Sequence, residues 1–439
     1  MRFLYLICKT IFQYTMRVFY KDIAIVNDEP NFLGSTIYVS NHAASFMDPL
    51  IIASLKRPIV FFMTRSDVFT KLTKPLLWSV HMLPIYRQQD GENTAKKNEA
   101  VFGACSRVLK YGRNLLIFGE GFTDDKFVRR LKPVKKGAAR IGFFTLEKHN
   151  WNKKIYIAAI GLNYTSPNKM RSDILIETSE KICLNDYREQ YESNPVKVIN
   201  ELTKEIEIKM QECITHIENI EHTDFHEDIM SITRNGMNAE NYDPAIPIIE
   251  RRKNSQILAE FFNKNASKVN KEGDVLKQEL SSFFKELKAN KIKQNDIIEF
   301  EKCQKLSYLP ELFHSILIFP IALLGIIHTI IPYKIVKPWV EKKLKREVFW
   351  GSVKSLMGTL AFGVFNLPVV YLIHHFIYPS WFIAWIYYLL IGVFFVASIK
   401  FKNLCKTISR KNKINSGELN KWVSVRNELL QKVDVFIGQ

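Results

Sequence analysis

A histidine and an aspartate six residues apart form the first group in this chain that could carry out acid–base chemistry. His42 and Asp48 lie in the segment VSNHAASFMDP, residues 39–49, directly after an apolar run that predicts a buried strand. If the turn brings them together, Asp48 accepts the Nδ1 proton of His42, and Nε2 is left free to take a proton from an alcohol. A purely structural hydrogen bond is the alternative, and the spacing by itself favours it.

A glycine-flanked acid forms the second group. Residues 117–124, IFGEGFTD, are typical of a strand that ends in a tight turn presenting backbone amides. The basic segment RRLKPVKKG, residues 129–137, follows directly. Its lysines, together with the turn amides, could hold a phosphate. A strand, turn and helix with a solvated basic edge is the alternative.

A single arginine forms the third group. Arg87 closes the otherwise apolar run LPIYR, residues 83–87. An arginine in this position binds a phosphate or pairs with an acid. A surface ion pair, which contributes little to stability, is the alternative.

Short β-like runs alternate with helical ones around these groups. We predict strands at residues 36–39, 59–62, 115–118, 155–162 and 174–177, and helices at 95–111, 137–147 and 196–220. Alternation of this kind favours an α/β domain, a mixed sheet covered by helices. The scaffold for the three groups is therefore expected to span residues 21–220.

Composition restricts the class of protein. The 439 residues carry 62 basic and 44 acidic side chains, a formal charge of +18, with 47% hydrophobic residues. That hydrophobic fraction excludes a disordered chain. The six cysteines are scattered without a CxxC pair, so neither a disulfide framework nor a thiolate zinc site is indicated. His216, His222 and His226 fit no standard metal spacing, and we interpret them as part of a solvated acidic loop.

The ends of the chain differ from its middle. Residues 1–20 predict an amphipathic helix, with Lys9 and Arg17 interrupting its apolar run, which argues against a signal peptide. This helix either lies in the lipid headgroup layer with its cationic edge toward phosphate or packs on its own domain, and the sequence leaves both open. Residues 221–310 predict a charged helical region, and 401–439 a cytoplasmic tail.

The segment 311–400 is membrane-like. Residues 312–333 and 355–399 contain no Asp, Glu, Lys or Arg. A spanning helix needs about 20 apolar residues. The longer run therefore predicts a spanning hairpin, 355–377 and 380–399, with a break at Tyr378-Pro379-Ser380. The first run has the length to span as well.

Basic residues flank both apolar runs and bear on orientation. Three full spans would place a basic flank outside, against the positive-inside rule. A hairpin at 355–399 with a re-entrant or in-plane segment at 312–333, broken at Pro320 and Gly325, keeps every basic stretch cytoplasmic. We therefore expect two true spans. The excess positive charge suits either nucleic acid or an anionic membrane, and the apolar segments, with no nucleic-acid motif beside them, favour the membrane.

The three groups, in this order, resemble the glycerol-phosphate acyltransferase family, which includes glycerol-3-phosphate and 1-acylglycerol-3-phosphate O-acyltransferases. The family's first block, Asn-His and then Asp, is matched by Asn41, His42 and Asp48. Its second block ends in an arginine, here Arg87, and its third block is similar to FGEG, residues 118–121. The resemblance covers roughly residues 30–180.

Other segments support the resemblance or depart from it. The apolar strand at 159–162 and the segment LKPVKKGAA, residues 131–139, resemble family sequences. Many members follow Glu-Gly with Thr-Arg-Ser, whereas this chain has Phe122-Thr123-Asp124. The usual arginine of the third block is therefore missing, and lysines of the basic segment are the candidates to replace it. Gly119 stands where proline is usual.

The resemblance implies a mechanism. His42 takes the proton of a glycerol hydroxyl as that oxygen attacks an acyl thioester, and Asp48 orients His42 and stabilises its imidazolium. Loss of general-base assistance typically costs about 10²–10⁴ in rate. The acceptor contacts that we infer are Asn41, Arg87, Glu120, Gly121, Lys132 and Lys135.

The implied activity is a membrane-bound O-acyltransferase of phospholipid biosynthesis with its catalytic domain on the cytoplasmic face. Its acceptor is glycerol-3-phosphate or 1-acylglycerol-3-phosphate, and acyl-CoA or acyl-carrier protein is the co-substrate. We expect no metal, cofactor or nucleic acid to take part. The alternatives are a non-catalytic lipid-binding or membrane-tethering protein and an acyltransferase for another lysolipid acceptor.

Overall fold

The chain divides into two units, residues 1–218 and 219–439. The computed structural model describes residues 2–27, 34–55, 59–86 and 94–438. Strands occur in the described part of the first unit, and the second is helical there.

The first unit contains the sheet. Its described strands are β1 (Asp22–Val26), β2 (Thr36–Ser40), β3 (Val60–Arg65), β4 (Met82–Ile85), β5 (Asn114–Phe118), β6 (Tyr156–Tyr164), β7 (Asp173–Thr178) and β8 (Ile182–Cys183). Its described helices are α1 (Arg2–Phe19), α2 (Met47–Leu55), α3 (Thr73–Ser79), α4 (Thr94–Lys110), α5 (Gly137–Lys148), α6 (Arg188–Ser193) and α7 (Pro195–Glu212).

The sheet is mixed, as the sequence predicts. Its order is β1-β7-β6-β2-β5-β3-β4, with β8 paired to β6. β6 runs antiparallel to β7 and β8, and the other pairs are parallel. The sequence analysis found five of these strands and missed β1, β4 and β8, which are short or lie at the edges of the sheet.

Helices cover both faces of the sheet. Alternate side chains of β2 point to opposite faces, so Tyr38 joins a cluster with α1 and α2, whereas Ile37 and Val39 join one with α4, α5 and α7. All five residues of β2 are buried. A central strand covered on both faces has this continuous apolar pattern, which is why the sequence revealed it.

α1 packs on the first unit through one side. Tyr5 and Met16 are buried, and the Nζ atom of Lys9 donates to the carbonyl oxygen of Ala53 in α2, at 3.0 Å. Lys9 therefore contacts protein, which supports the alternative that this helix packs on its own domain. The opposite side of α1, which includes Phe3, is exposed and apolar.

The second unit consists of helices. In its described part they are α8 (Thr223–Thr233), α9 (Ile248–Lys264), α10 (Ala266–Lys271), α11 (Gly273–Ala289), α12 (Gln294–Cys303), α13 (Leu309–Lys343), α14 (Trp350–Leu372), α15 (Trp381–Lys411) and α16 (Ser416–Ile437). A π-helical turn, Ile373–Ile377, extends α14. α16 packs with α8, α11 and α12 around an apolar core that includes Phe225, Leu280 and Trp422.

Three described helices of this unit are long and apolar enough to cross a membrane by length and composition: Leu309–Lys343, Glu347–Ile377 and Trp381–Lys411. The last two are separated at residues 378–380, where the sequence predicts a break. α13 continues through Pro320 and Gly325, so the break expected at those residues is absent.

α13 nevertheless bends sharply. Phe319 and Tyr333 would be about 21 Å apart along a straight helix. They contact adjacent residues of α15, however: the Phe319 and Phe401 rings lie 5.4 Å apart, and Lys402 Nζ lies 5.8 Å from the centre of the Tyr333 ring. The two halves of α13 therefore both run alongside α15, in opposite directions.

Ion pairs place both ends of α13 at one end of the bundle. Near its start, Glu311 pairs with Lys411 at the end of α15, at 2.8 Å. Near its end, Glu341 pairs with Lys354 at the start of α14, at 2.6 Å. α14 and α15 are antiparallel neighbours joined by a short turn, so the start of α14 lies beside the end of α15.

A buried polar cluster lies at the bend. Pro332 has no N–H to bond the carbonyl of His328, and Asn366 Nδ2 donates to that carbonyl instead, at 3.1 Å. The His328 ring bonds Asn366 Oδ1 through Nδ1, at 2.9 Å, and the Tyr387 hydroxyl through Nε2, at 2.8 Å. The cluster thus joins α13, α14 and α15 where α13 changes direction. The re-entrant placement of residues 312–333 in a bilayer stays a prediction, and the bend supports it.

We predict that both ends of α13 face the same side of the membrane. In a cysteine-free background, Lys305→Cys, Lys345→Cys and Asn412→Cys should react with an impermeant thiol reagent from one side of sealed vesicles. Tyr378→Cys, at the tip of the α14–α15 hairpin, should react only from the other side. Labelling of positions 305 and 345 from opposite sides would show that α13 crosses the bilayer as a straight span.

Candidate active site

Three neighbouring strands end at the same edge of the sheet and carry the candidate site. In the register of the sheet, Ser40 of β2 lies opposite Phe118 of β5 and Ile160 of β6. His42 follows the end of β2 by two residues, and Glu120 follows the end of β5 by two. Ligands of open α/β sheets bind at the carboxyl ends of parallel strands, so the edge itself is a favourable place for a site.

The His–Asp pair predicted from the spacing is formed. His42 Nδ1 lies 2.8 Å from Asp48 Oδ2, which also accepts the backbone N–H of Ala44 at 2.9 Å. Asp48 is fully buried in the first turn of α2, while the His42 side chain retains 21% of its exposure. The His42 ring stacks on Phe118, with ring centres 4.2 Å apart. The ring is therefore fixed in orientation, and its Nε2 atom is available to a substrate.

Tyr164, the last residue of β6, is a member of the site that the sequence analysis missed. Its hydroxyl donates to Asp48 Oδ1 at 2.6 Å, and the side chain is completely buried. Burial and the nearby Asp48 charge raise the pKa of Tyr164 well above its usual value, so it stays a donor. The sequence analysis identified the apolar strand at 159–162, which ends close to Tyr164. No local pattern, however, links this tyrosine to an aspartate 116 residues earlier in the chain.

Glu120 binds the backbone of the turn that carries His42. Its Oε1 atom accepts the N–H of His42 at 2.9 Å. The carboxyl group is 3% exposed, and burial raises its pKa to about 7, although the His42 amide and the Lys132 charge lower it. Lys132 Nζ lies 4.0 Å from Glu120 Oε2. Glu120 is a predicted contact of the acceptor, and the same carboxylate also holds the turn that carries His42.

The two glycines beside Glu120 are required by close packing and by backbone conformation. A Cβ at Gly119 would lie 2.9 Å from a methyl group of Val39. Gly121 has a φ of +78°, which favours glycine, and a Cβ there would meet Lys135 Nζ at 2.9 Å. The tight turn inferred from the sequence is present, and Lys135 lies over it.

Asn41 does not occupy the place expected of a substrate contact. Its Nδ2 atom donates to the carbonyl of Leu162, and its Oδ1 accepts the N–H of Leu162, at 3.1 and 2.8 Å. The side chain is buried. Asn41 therefore fastens the turn after β2 to β6, and its predicted substrate contact has no support in these contacts.

The candidate phosphate ligands differ in their surroundings. Lys132 pairs with Asp124 Oδ2 at 2.9 Å and lies over the Phe122 ring, so its charge is already compensated. Lys135 is exposed beside Gly121. Arg87 lies outside the described residues. Of the two described lysines, Lys135 is the one placed to meet a phosphate from solvent.

The interpretation of His216, His222 and His226 as a solvated loop is wrong. All three are buried, at 8%, 4% and 0% exposure. His216 Nδ1 accepts the N–H of Leu131 at 3.0 Å, and burial lowers the pKa of this imidazole. Within the described residues, no group of three or more His, Cys, Asp or Glu side chains is arranged to hold a metal ion.

A family model described as Acyltransferase matches residues 23–161. This region is an acyltransferase domain. The match spans the three groups of candidate residues, and it confirms the resemblance over that range. No curated protein matches the chain significantly. The acyltransferase domain and the apolar helices of the second unit together indicate acyl transfer to a lipid-type acceptor.

We predict that Tyr164→Phe lowers kcat/KM for acyl transfer about tenfold, since a hydrogen bond to a charged group contributes about 1.5–3 kcal/mol. Without this donor, the Asp48 carboxylate attracts the imidazolium of His42 more strongly. The acidic limb of the pH–rate profile should therefore move to higher pH.

The matched control is Tyr20→Phe. The Tyr20 hydroxyl is buried beside Tyr164 and bonds no group in the described part of the chain. An unchanged acidic limb in Tyr164→Phe, or an equal shift in Tyr20→Phe, would contradict a role for Tyr164 in positioning Asp48.

Glu120 should make stability depend on pH. Because its pKa in the folded protein, about 7, is above that of an unfolded glutamate, about 4.3, the folded state holds the proton more tightly. This contribution is full below about pH 4 and is lost as the pH rises toward 7. The melting temperature of wild type minus that of Glu120→Gln should therefore fall across this range.

Proposed function

We propose that this protein is a membrane-bound O-acyltransferase that moves a fatty acyl group from an acyl thioester to a hydroxyl of a glycerol-phosphate acceptor. The acceptor is 1-acylglycerol-3-phosphate or glycerol-3-phosphate, and the product enters phospholipid biosynthesis. The observation that carries the proposal is the His42–Asp48 pair at the open edge of an acyltransferase domain, with Nε2 of His42 bonded by none of the residues that the structure describes.

The site supplies a base and no nucleophile of its own. In the described part of the chain, no Ser, Thr or Cys side chain bonds His42, whose contacts are with Asp48, Glu120 and Phe118. A histidine held by a carboxylate and lacking a protein nucleophile suits direct attack by a substrate hydroxyl. Direct transfer from thioester to alcohol is therefore favoured over an acyl-enzyme intermediate.

The reaction follows from the geometry of the pair. Nε2 takes the proton as the acceptor oxygen bonds to the thioester carbonyl carbon, and Asp48 stabilises the imidazolium that forms. When the carbon–sulfur bond breaks, the proton on Nε2 passes to the departing thiolate. The ester and a free thiol are the products, and His42 returns to its neutral state.

Charge around the turn supports an anionic acceptor. Lys135 is exposed beside Gly121, and Lys136 and Arg140 are exposed close behind it in the chain. We assign the phosphate contact to Lys135 and a supporting role to Lys132, which is paired with Asp124 and lies near Glu120. The segment Phe122-Thr123-Asp124 stands where the usual familial residues would be. In this assignment Asp124 pairs with Lys132, and Lys135 is left to bind the substrate.

The second unit suits the proposed chemistry. An ester formed from a fatty acyl chain partitions into lipid, and so does a lysophosphatidate acceptor. Three described helices long and apolar enough to cross a bilayer would keep the enzyme where these molecules are. The proposed orientation, with the catalytic domain in the cytoplasm, rests on the basic residues that flank the apolar helices.

The test is thioester consumption by membranes that contain the full chain. Glycerol-3-phosphate and 1-acylglycerol-3-phosphate are offered separately, each with acyl-CoA and with acyl-carrier protein. We expect transfer to one acceptor, and a loss of about 10²–10⁴-fold in His42→Ala. Lys135→Gln should raise KM for the acceptor and leave kcat largely unchanged.

Matched variants keep the result specific. His149→Ala removes a histidine that follows the end of α5 and bonds Ser106 of α4. Lys136→Gln removes the lysine next to Lys135. Both should retain wild-type rates. Transfer that survives His42→Ala would contradict the mechanism, and no transfer to either acceptor would favour a lipid tether or another lysolipid acceptor.

A further inference from the structure

Exposed apolar side chains are concentrated on α3 and on the segment that leads into it. Leu72 is 91% exposed and Leu76 is 56% exposed, and Trp78 is exposed as well. No residue of α3 is buried. Large apolar side chains that are left together in solvent mark a surface that meets another apolar phase.

α1 extends this surface. Its outward side carries Phe3, Ile7 and Ile11, spaced four residues apart, and all three are exposed. α1 contacts α3, and the Tyr5 ring stacks on His81, just after α3, with ring centres 4.4 Å apart. We call the exposed sides of α1 and α3, with residues 71 and 72, the α1–α3 surface.

Lysines are interleaved with the apolar residues of this surface. Lys71 and Lys74 are exposed and lie within the segment KLTKPLLW, residues 71–78. Cationic and apolar side chains mixed in this way are typical of segments that lie in the interface of a membrane with anionic lipids.

We propose that the α1–α3 surface docks on the headgroup and upper acyl layer of an anionic bilayer. Leu72, Leu76 and the outward residues of α1 enter the apolar layer, and Lys71 and Lys74 meet lipid phosphates. This contact is separate from the apolar helices of the second unit and does not depend on the identity of the acceptor.

Charge favours a bilayer over a second copy of the chain. A symmetric dimer brings the same patch of both subunits together, so the lysines of one copy would face those of the other. An anionic bilayer complements them instead. The chain also carries its own membrane-type helices, so a bilayer is present at high effective concentration.

Docking would bring the candidate active site to the lipid. The segment after β3 begins at the carboxyl edge of the sheet, the edge at which His42 and Glu120 lie. Residues 66–72 therefore start beside the site and lead directly to the exposed Leu72. A bilayer contact at this point would present lipid-borne molecules to the open edge without their leaving the interface.

The test measures the depth of single labels in the full chain reconstituted into vesicles. In a cysteine-free background, Leu72→Cys and Leu76→Cys carry the dye NBD. The matched control is Ile208→Cys on α7, which is 47% exposed and lies on the opposite face of the sheet. The vesicles contain phosphatidylcholine and phosphatidylglycerol, with or without bromine on the acyl chains.

We expect brominated lipid to remove most of the fluorescence at positions 72 and 76 and to leave position 208 unchanged. Lys71→Glu with Lys74→Glu should reduce the quenching at both positions. Equal and weak quenching at all three positions would overturn the proposal. So would a blue shift at 72 and 76 that brominated lipid does not quench and that grows with protein density, because that result indicates a second copy of the chain.

Discussion

The candidate site depends on the burial of one carboxylate. Asp48 is fully buried, and a charge out of water is costly unless hydrogen bonds replace its hydration. Three donors do so here: the ring of His42, the backbone of Ala44 and the hydroxyl of Tyr164. The same bonds set the direction of the imidazole, so the stability of the turn and the orientation of Nε2 have one cause.

The sheet supplies those donors from three separate parts of the chain. β2 leads to His42, β5 leads to Glu120, and β6 ends at Tyr164. β2 and β5 end in register, and β6, which lies opposite Ser40 at Ile160, continues to Tyr164 at the same edge. Two short turns and this longer strand therefore bring the three side chains together. Glu120 then holds the backbone of His42, and Asn41 ties the same turn to β6. The turn that carries the base is therefore fixed from both sides.

Proline shapes the second unit in a comparable way. Pro332 leaves a carbonyl without its helical partner, and a side chain of the next helix must satisfy it in a region with little water. Asn366 does this while its other amide atom bonds the His328 ring. The backbone hydrogen bond that is lost at Pro332 is thus replaced by side-chain contacts that join α13, α14 and α15. The bend that results keeps the charged ends of α13 on one side.

The sequence by itself determined the elements with a strong local pattern. The continuous apolar pattern of β2, the amphipathic α4 and α5, the apolar runs, and the spacing of His42 and Asp48 are all properties of neighbouring residues. The family resemblance rests on the same short blocks. Only the tertiary structure decided that Tyr164 completes the pair, that Asn41 binds β6, that Asp124 pairs with Lys132, and that α13 turns back near Pro332 and not at Pro320 and Gly325. Most of those contacts join residues far apart in the chain. They are set by the order of the strands and the packing of the helices, and no local periodicity of the sequence encodes either.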